Sequence, residues 1–273
     1  MATDIALSAA MRNNLMSVNH TQGLMDRTQA RLSTGLKVAS VLDDSQAFFA
    51  SKALNDRASD LGEKKDGVDQ GISSVSAAIE AIEAIDAIVK QMKGLATSAR
   101  SATGTELTSL VTQFNSLRTQ INLLTGDSSY QGLNLVNGTG STLAVSFSNL
   151  TTSKLSIASV DLRNATTGLD ITAAANFSVA TNIDNSVTEL DAAITTLRGN
   201  ASTLGSNVAL LQTRLDFTEA YVGQLEEGAS KLTLADINEE GANLVALQTR
   251  QQLGIQALAF AGQSEQAVLS LFR

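Results

Sequence analysis

The chain has 273 residues, no proline, cysteine or tryptophan, 4% aromatics, 43% hydrophobic residues and a formal net charge of -8. The lack of cysteine excludes disulfides and thiolate metal sites, the single histidine, His20, leaves most hydrolase chemistry without its parts, and the acidic balance provides no basic stripe for nucleic acid or an anionic membrane surface. A chain of this size ordinarily carries about one proline in twenty residues, so their absence points to long unbroken helices around a thin aliphatic interior.

The first 14 residues lack a basic head followed by an apolar run, and no stretch reaches the ~18 apolar residues of a membrane span. Neither a cleavable signal peptide nor a transmembrane helix is expected. Apolar periodicity then carries the reading. Met11, Leu15, Val18, Gln22, Met25, Gln29 and Leu32 alternate by four and three, which predicts a first helix with one packing face. Asp43 and Asp44 precede a second, much longer pattern. Acidic residues there suit capping and the positive end of a helix dipole better than acid/base chemistry.

That second seam runs through Leu54, Ala58, Leu61, Lys65, Val68, Ile72, Val75, Ile79 and Ile82, then steps sideways onto Ile85, Ile88, Met92 and Leu95. It predicts a helix over about 44–98 with a local break in the heptad. Within it, Glu63, Lys64, Lys65 and Asp66 form a mixed-charge patch in which Lys65 falls on the seam and can snorkel. After the turn Ala102, Thr103 and Gly104, with Thr105 as expected N-cap, a third helix carries Leu107, Leu110, Phe114, Leu117, Ile121 and Leu124 and ends near Gly126.

From about 127 to 185, Gly, Ser, Thr and Asn punctuate short alternating runs, with Leu143, Val145 and Phe147, then Leu155 and Ile157. These read as strands and hairpins, against the alternative of a flexible linker. The next seam is the most regular. Val187, Leu190, Ile194, Leu197, Ala201, Leu204, Val208, Leu211, Leu215, Thr218, Val222 and Leu225 alternate threes and fours with one polar member. It predicts a helix with a coiled-coil seam, roughly 60 Å long. Three such helices can bury their stripes only against one another, as a bundle.

At the end of the chain Ile237, Leu244, Leu247, Leu258, Leu269 and Phe272 share a face, but 253–261 is apolar nearly all round, including Ile255 and Phe260, and 268–272 adds Val268 and Leu269. A helix apolar on every side must be covered on every side. One partner helix covers a single face, so other copies of the chain are expected to cover the rest. The competing reading is a terminal helix plugged into its own bundle.

Several blocks now stand together. Arg31-Leu32-Ser33-Thr34-Gly35-Leu36-Lys37-Val38 followed by Asp43-Asp44, the turn from Tyr130 to Gly138, the stretch Ser230-Lys231-Leu232 with Ala235-Asp236, and the closing run from Gln263 to Arg273 resemble, in order, the signature blocks of bacterial flagellin. The chain departs from the family pattern at Glu265, where proline is usual, and at Leu234 and Ile5 to Ser8. No seam position is lost, and Glu265 should let the last helix run on, since proline would remove a ladder bond.

The resemblance implies a mainly α fold: an elongated antiparallel coiled-coil and helix bundle with paired terminal helices and a small β-hairpin region in mid-chain. Residues 1–33 and 236–273 would form an inner tube domain, 34–43 and 227–235 spoke connectors, and 44–229 an outer bundle. It implies a non-enzymatic, secreted, extracellular structural subunit that self-assembles into the flagellar filament for swimming, alone or with paralogous flagellins. Its partners would be the export apparatus, an export chaperone, the filament cap and hook-junction proteins, with no cofactor, nucleic acid or membrane. The polymerisation interface would comprise Met11, Leu15, Val18, Met25, Leu32, Leu244, Leu247, Ile255, Leu258, Phe260, Val268, Leu269 and Phe272. Arg31, Asp43, Asp44 and Asp236 would make spoke and subunit contacts.

Other readings are a hook-filament junction protein of the same family, or a chemoreceptor-like signalling coil, which would need a membrane span or sensory domain. His20 reads as structural or solvated, Met11, Met16 and Met25 as core filling. The metallopeptidase motif H-E-x-x-H carried by some family members is absent. The Ser- and Thr-rich stretch 139–182 resembles surfaces that are O-glycosylated in the family. Residues 89–96 correspond to the segment bound by the host Toll-like receptor, but Gln91 and Gly94 stand where arginine and glutamate are usual, so weak or no recognition is expected.

Overall fold

The computed structural model describes residues 9–174 and 177–271, with backbone only at Ala10, Glu265, Gln266 and 268–271. These residues form five helices and one hairpin: α1 (Ala9–Thr34), α2 (Ser45–Ser98), α3 (Gly104–Asp127), β1 (Thr142–Ser146), β2 (Lys154–Ala158), α4 (Ala180–Thr233) and α5 (Ile237–Leu271). The chain divides into two compact units, residues 57–224 and residues 1–56 with 225–273.

In the 57–224 unit the core is a heptad ladder. Leu190, Leu197, Leu204, Leu211 and Thr218 of α4 are all buried, each one heptad from the next. Thr218 is tolerated because its hydroxyl bonds the carbonyl of Arg214 at 2.8 Å, so no buried donor is left unpaired. On α2 the matching line is Val68, Val75, Ile82, Val89 and Ala96, again buried at every seventh residue.

The expected heptad break in α2 is therefore corrected. The central line is continuous, and what changes is its companion: Ala58, Lys65 and Ile72 give way to Gly71, Ala78, Ile85, Met92 and Ala99 on the other side. The face looks broken when it is traced through Ile79 and Ile88, which are only partly buried, whereas the buried positions are Val89 and the small residues Ala78 and Ala96. Three ion pairs mark one antiparallel register of α2 against α4. Lys65 meets Glu219 at 3.3 Å and Lys93 meets Asp191 at 2.5 Å, while Arg100 meets Asp184. From Lys93 to Arg100 and from Asp191 back to Asp184 the step is the same, one heptad.

The hairpin pairs Leu143 with Ile157 and Val145 with Leu155, with Val145 and Ile157 inward and buried, as alternation predicts. Strand structure within 127–174 is confined to these ten residues and isolated bridges; the remainder is bonded loop. Gly71 explains how closely the hairpin approaches α2, since a Cβ there would sit 2.6 Å from Val145 Cγ2. The turn at Tyr130 to Leu133 closes through the Leu133 amide on the Tyr130 carbonyl at 2.9 Å, with Gln131 and Gly132 both at positive φ, a conformation glycine adopts freely.

Asn134 then does what no pattern announced. Its amide nitrogen donates to the carbonyls of Thr125 at 2.7 Å and Gly126 at 3.2 Å, satisfying the end of α3, while its oxygen accepts from the Val136 and Asn137 amides. The segment after β2 is strapped to α3 by Asn115, whose amide bonds both the NH and the carbonyl of Ala174, and by Arg118, which donates to the Ile171 carbonyl at 2.7 Å. The start of α3 is also corrected: its N-cap is Thr103, in extended conformation and without a side-chain cap bond, and not Thr105.

Candidate assembly interface

The second unit is built on α1 and α5, which pack antiparallel. Three contacts mark the register along the pair. Arg31 Nη1 donates to Glu240 Oε1 at 2.8 Å, Gln251 Nε2 to Gln22 Oε1 at 2.5 Å, and Gly254 lies so close to Val18 that a Cβ would meet Val18 Cγ2 at 2.6 Å. Met11 reaches the far end, beside Gly262.

The face that α1 turns inward is Met11, Asn14, Val18, Thr21, Met25, Thr28 and Leu32. The line Met11, Val18, Met25 and Leu32 is as the periodicity predicts. Its companion differs, because Asn14, Thr21 and Thr28 are turned inward while Leu15 and Gln29 are exposed; of the expected companion only Gln22 stays partly buried, bonded to Gln251. Leu15 is 44% exposed. On α5 the inward line is Glu240, Leu247 and Gly254, with Leu244, Gln251 and Leu258 beside it.

The expected interface residues thus fall into two groups. Met11, Val18, Met25, Leu32, Leu244, Leu247 and Leu258 lie on the inward faces of the pair, wholly or partly buried. Leu15, Ile255 and Phe260 are largely exposed, in company with Met16, Val245 and Leu253. Phe260 is 71% exposed. Large contiguous apolar patches are rare on monomers, and six large apolar side chains exposed on one helix pair make this pair the candidate surface for association. The side chains of Val268 and Leu269, and Phe272 altogether, lie outside the described residues. The backbone of α5 continues through Glu265 to Leu271, as the missing proline predicts.

The four polar residues expected to make spoke and subunit contacts all have partners within the chain. Asp44 Oδ1 accepts the Ala47 amide at 3.0 Å and starts α2, and Asp236 Oδ1 accepts from Asn238 at 2.9 Å and starts α5. Asp43 Oδ2 gathers the Ser40 hydroxyl and amide and the Ala39 amide. These bonds, the Ser40 hydroxyl foremost, hold the Asp43 carboxyl below its ordinary range. Arg31 is committed to Glu240, a side chain only 10% exposed. Glu240 was missed by the sequence reading, although it stands one heptad before Leu247. The connectors themselves are tied together by the Leu36 and Leu234 bridge and by the amides of Lys37 and Ala235 on the carbonyls of Thr233 and Gly35.

His20 is exposed, and among the described residues no three His, Cys, Asp or Glu side chains converge as a metal site and no helix is long and apolar enough to cross a membrane.

Comparison with known proteins agrees with this geometry. The profile of the bacterial flagellin N-terminal helical region matches residues 5–141, and that of the C-terminal helical region residues 187–272. Flagellin FljM of Caulobacter vibrioides is 32% identical over 262 residues, 95% of this chain and 94% of that one. A flagellin of Brucella melitensis is 29% identical over 283 residues, the whole of both chains. Among solved structures, Bacillus cereus flagellin superposes with TM-score 0.50 at 23% identity, over 56% of this chain and 88% of that one. A protein assigned as flagellar hook-associated from Vibrio parahaemolyticus gives TM-score 0.60 at 12% identity, over 70% of this chain and all of that one, a likeness of fold.

Proposed function

The chain belongs to the bacterial flagellin family, and on that premise we propose how this subunit builds its filament. Folded bundles formed by 44–229 pack as the outer layer, while the terminal segments 1–33 and 236–273 pair and line the central channel, joined through spokes at 34–43 and 227–235. The outward residues Leu15, Ile255 and Phe260, with Val268, Leu269 and Phe272, are buried against neighbouring copies. Burial of that surface drives polymerisation, and an open heterologous contact repeated around an axis extends the filament without closing.

One observation carries the reading. The α5 helix meets α1 along a single face and still exposes Val245, Leu253, Ile255 and Phe260. Such a helix is stable in water only when further surfaces cover it. The whole-chain relatives named as flagellins favour the filament subunit over a junction protein or a signalling coil.

The subunit leaves the cell through the flagellar export apparatus with an export chaperone and is placed beneath a filament cap on hook-junction proteins. A cysteine-free chain suits that route. The filament is homopolymeric or shared with paralogues. Recognition by the Toll-like flagellin receptor is weak or absent: Gln91 and Gly94 offer neither guanidinium nor carboxylate, and Lys93 is already paired with Asp191. Receptor signalling as potent as that of a flagellin carrying the usual arginine and glutamate would contradict this.

Deleting residues 253–273 tests the main reading. The 57–224 unit, which uses none of these residues, should keep its helical signal and its cooperative unfolding, and sedimentable polymer should vanish. Filaments from the truncated chain would refute the role given to α5.

A further inference from the structure

Leu42 is the most exposed large apolar side chain among the described residues, at 96%, with Val41 beside it at 41%. It sits at the tip of a turn that is not free to yield. Asp43 Oδ2 accepts from the amides of Ala39 and Ser40 at 3.2 and 3.0 Å and from the Ser40 hydroxyl at 3.0 Å. The Asp43 amide donates back to the Ser40 carbonyl at 3.1 Å. An apolar knob on a pinned turn loses little freedom on docking, which is the condition under which one side chain contributes much to an interface.

The same unit offers a matching recess. Between α1 and α5 a cleft of about 320 Å³ has a floor of Leu24, Thr28 and Leu247 and a rim of Arg27, Arg31 and Arg250. Of the rim arginines only Arg31 has an ion-pair partner among the described residues, Glu240, so the guanidinium groups of Arg27 and Arg250 are available to a carboxylate from outside. The knob is flanked by Asp43 and Asp44. Apolar tip meets apolar floor, and acidic shoulder meets basic rim.

Resting on the filament reading above, we infer that the 39–44 turn of one subunit docks in the α1/α5 cleft of the next copy, with Leu42 inserted over Leu247 and the two aspartates against Arg27 and Arg250. The contact is heterologous, since knob and cleft are different surfaces, and it therefore propagates instead of closing. The charge pairing fixes the register of docking more than its strength.

The chain contains no cysteine, so Leu42→Cys and Ala246→Cys, the latter on the cleft wall, can be introduced together and treated with a short bis-maleimide in intact filaments. The expected result is a ladder of covalent oligomers on a denaturing gel, absent from either single variant. Cross-linking that stops at dimer, or stays within one chain, overturns the heterologous contact. Intact filaments without any cross-link overturn the docking and leave the filament reading standing, whereas failure of the unaltered chain to polymerise removes the reading itself. Leu42→Ala supplies a second readout. With its side chain already in water, monomer unfolding should not change, while the critical concentration for assembly rises on the order of tenfold or more. An unchanged critical concentration overturns the proposal.

Discussion

Replacing Gly254 by alanine sets two effects of opposite sign against each other at the α1/α5 contact. The added Cβ would lie 2.6 Å from Val18 Cγ2, about an ångström inside ordinary carbon–carbon contact. Val18 is β-branched and held to one rotamer on a helix, so it cannot swing aside, and the helices must separate. Overpacking of this kind costs about 1–3 kcal/mol. Alanine returns about 0.5–1 kcal/mol by restricting the unfolded backbone. The net expectation is a loss of up to about 2.5 kcal/mol, which raises the critical concentration for polymerisation by up to roughly seventyfold. In a Val18→Ala background the clash is gone, and Gly254→Ala should become stabilising. Sedimentation assays on the four chains of this cycle therefore read a coupling of about 1–3 kcal/mol. If Gly254→Ala stabilised filaments equally with valine or alanine at position 18, the close approach of the helices would be refuted.

Leu211→Ala, at a fully buried position, should destabilise the monomer by about 2–5 kcal/mol in denaturant melts. Its neighbour Leu210, 44% exposed, should lose under about 1 kcal/mol on the same change; equal losses would contradict the assigned seam. Asp161 is bonded by the Arg163 guanidinium, the Arg163 amide and the Thr167 hydroxyl, and its carboxyl is held down at about 2. A lowered folded-state pKa contributes stability that is complete above the unfolded value near 4 and is lost as pH falls through the folded value. Because Arg163 is half exposed, solvent screening leaves about 1 kcal/mol. The stability gap between the unaltered chain and Asp161→Asn should be full at pH 6 and shrink steadily between pH 4 and pH 2. A gap independent of pH would rule out the ion pair as its source.

The ease of reading the fold from the sequence depended on what fills each seam. On α4 every position of the buried line except Thr218 is a leucine, so side-chain size and burial coincide and the ladder was legible residue by residue. On α2 the same ladder passes through Gly71, Ala78, Ala96 and Ala99, small residues of which Gly71 leaves room for the Val145 side chain, and hydrophobicity alone could not see them. On α1 the seam holds Asn14, Thr21 and Thr28. Burial there is decided by the partner helix, which the local pattern does not contain. The hairpin was legible because alternation survives in Val145 and Ile157. Asn134 was not, since its four bonds depend on where α3 happens to end in space. At the interface, the all-round apolar character of 253–261 foretold an uncovered surface. Which residues face outward required α1, and the exposed turn at Leu42 interrupts no periodicity that could have flagged it.

The fixed register of α2 against α4 also governs how such a chain can change length over evolutionary time. Lys65, Lys93 and Arg100 meet Glu219, Asp191 and Asp184 in one unbroken count. An insertion in one helix alone would move every pair beyond it out of step and rotate the leucine line away from its partner. Growth inside the ladder is viable only as matched whole heptads in both helices. New sequence can enter between the end of α3 and the start of α4, where neither strand of the count is disturbed. Relatives of different size should therefore keep the two helical arms nearly constant and differ in what they carry between them.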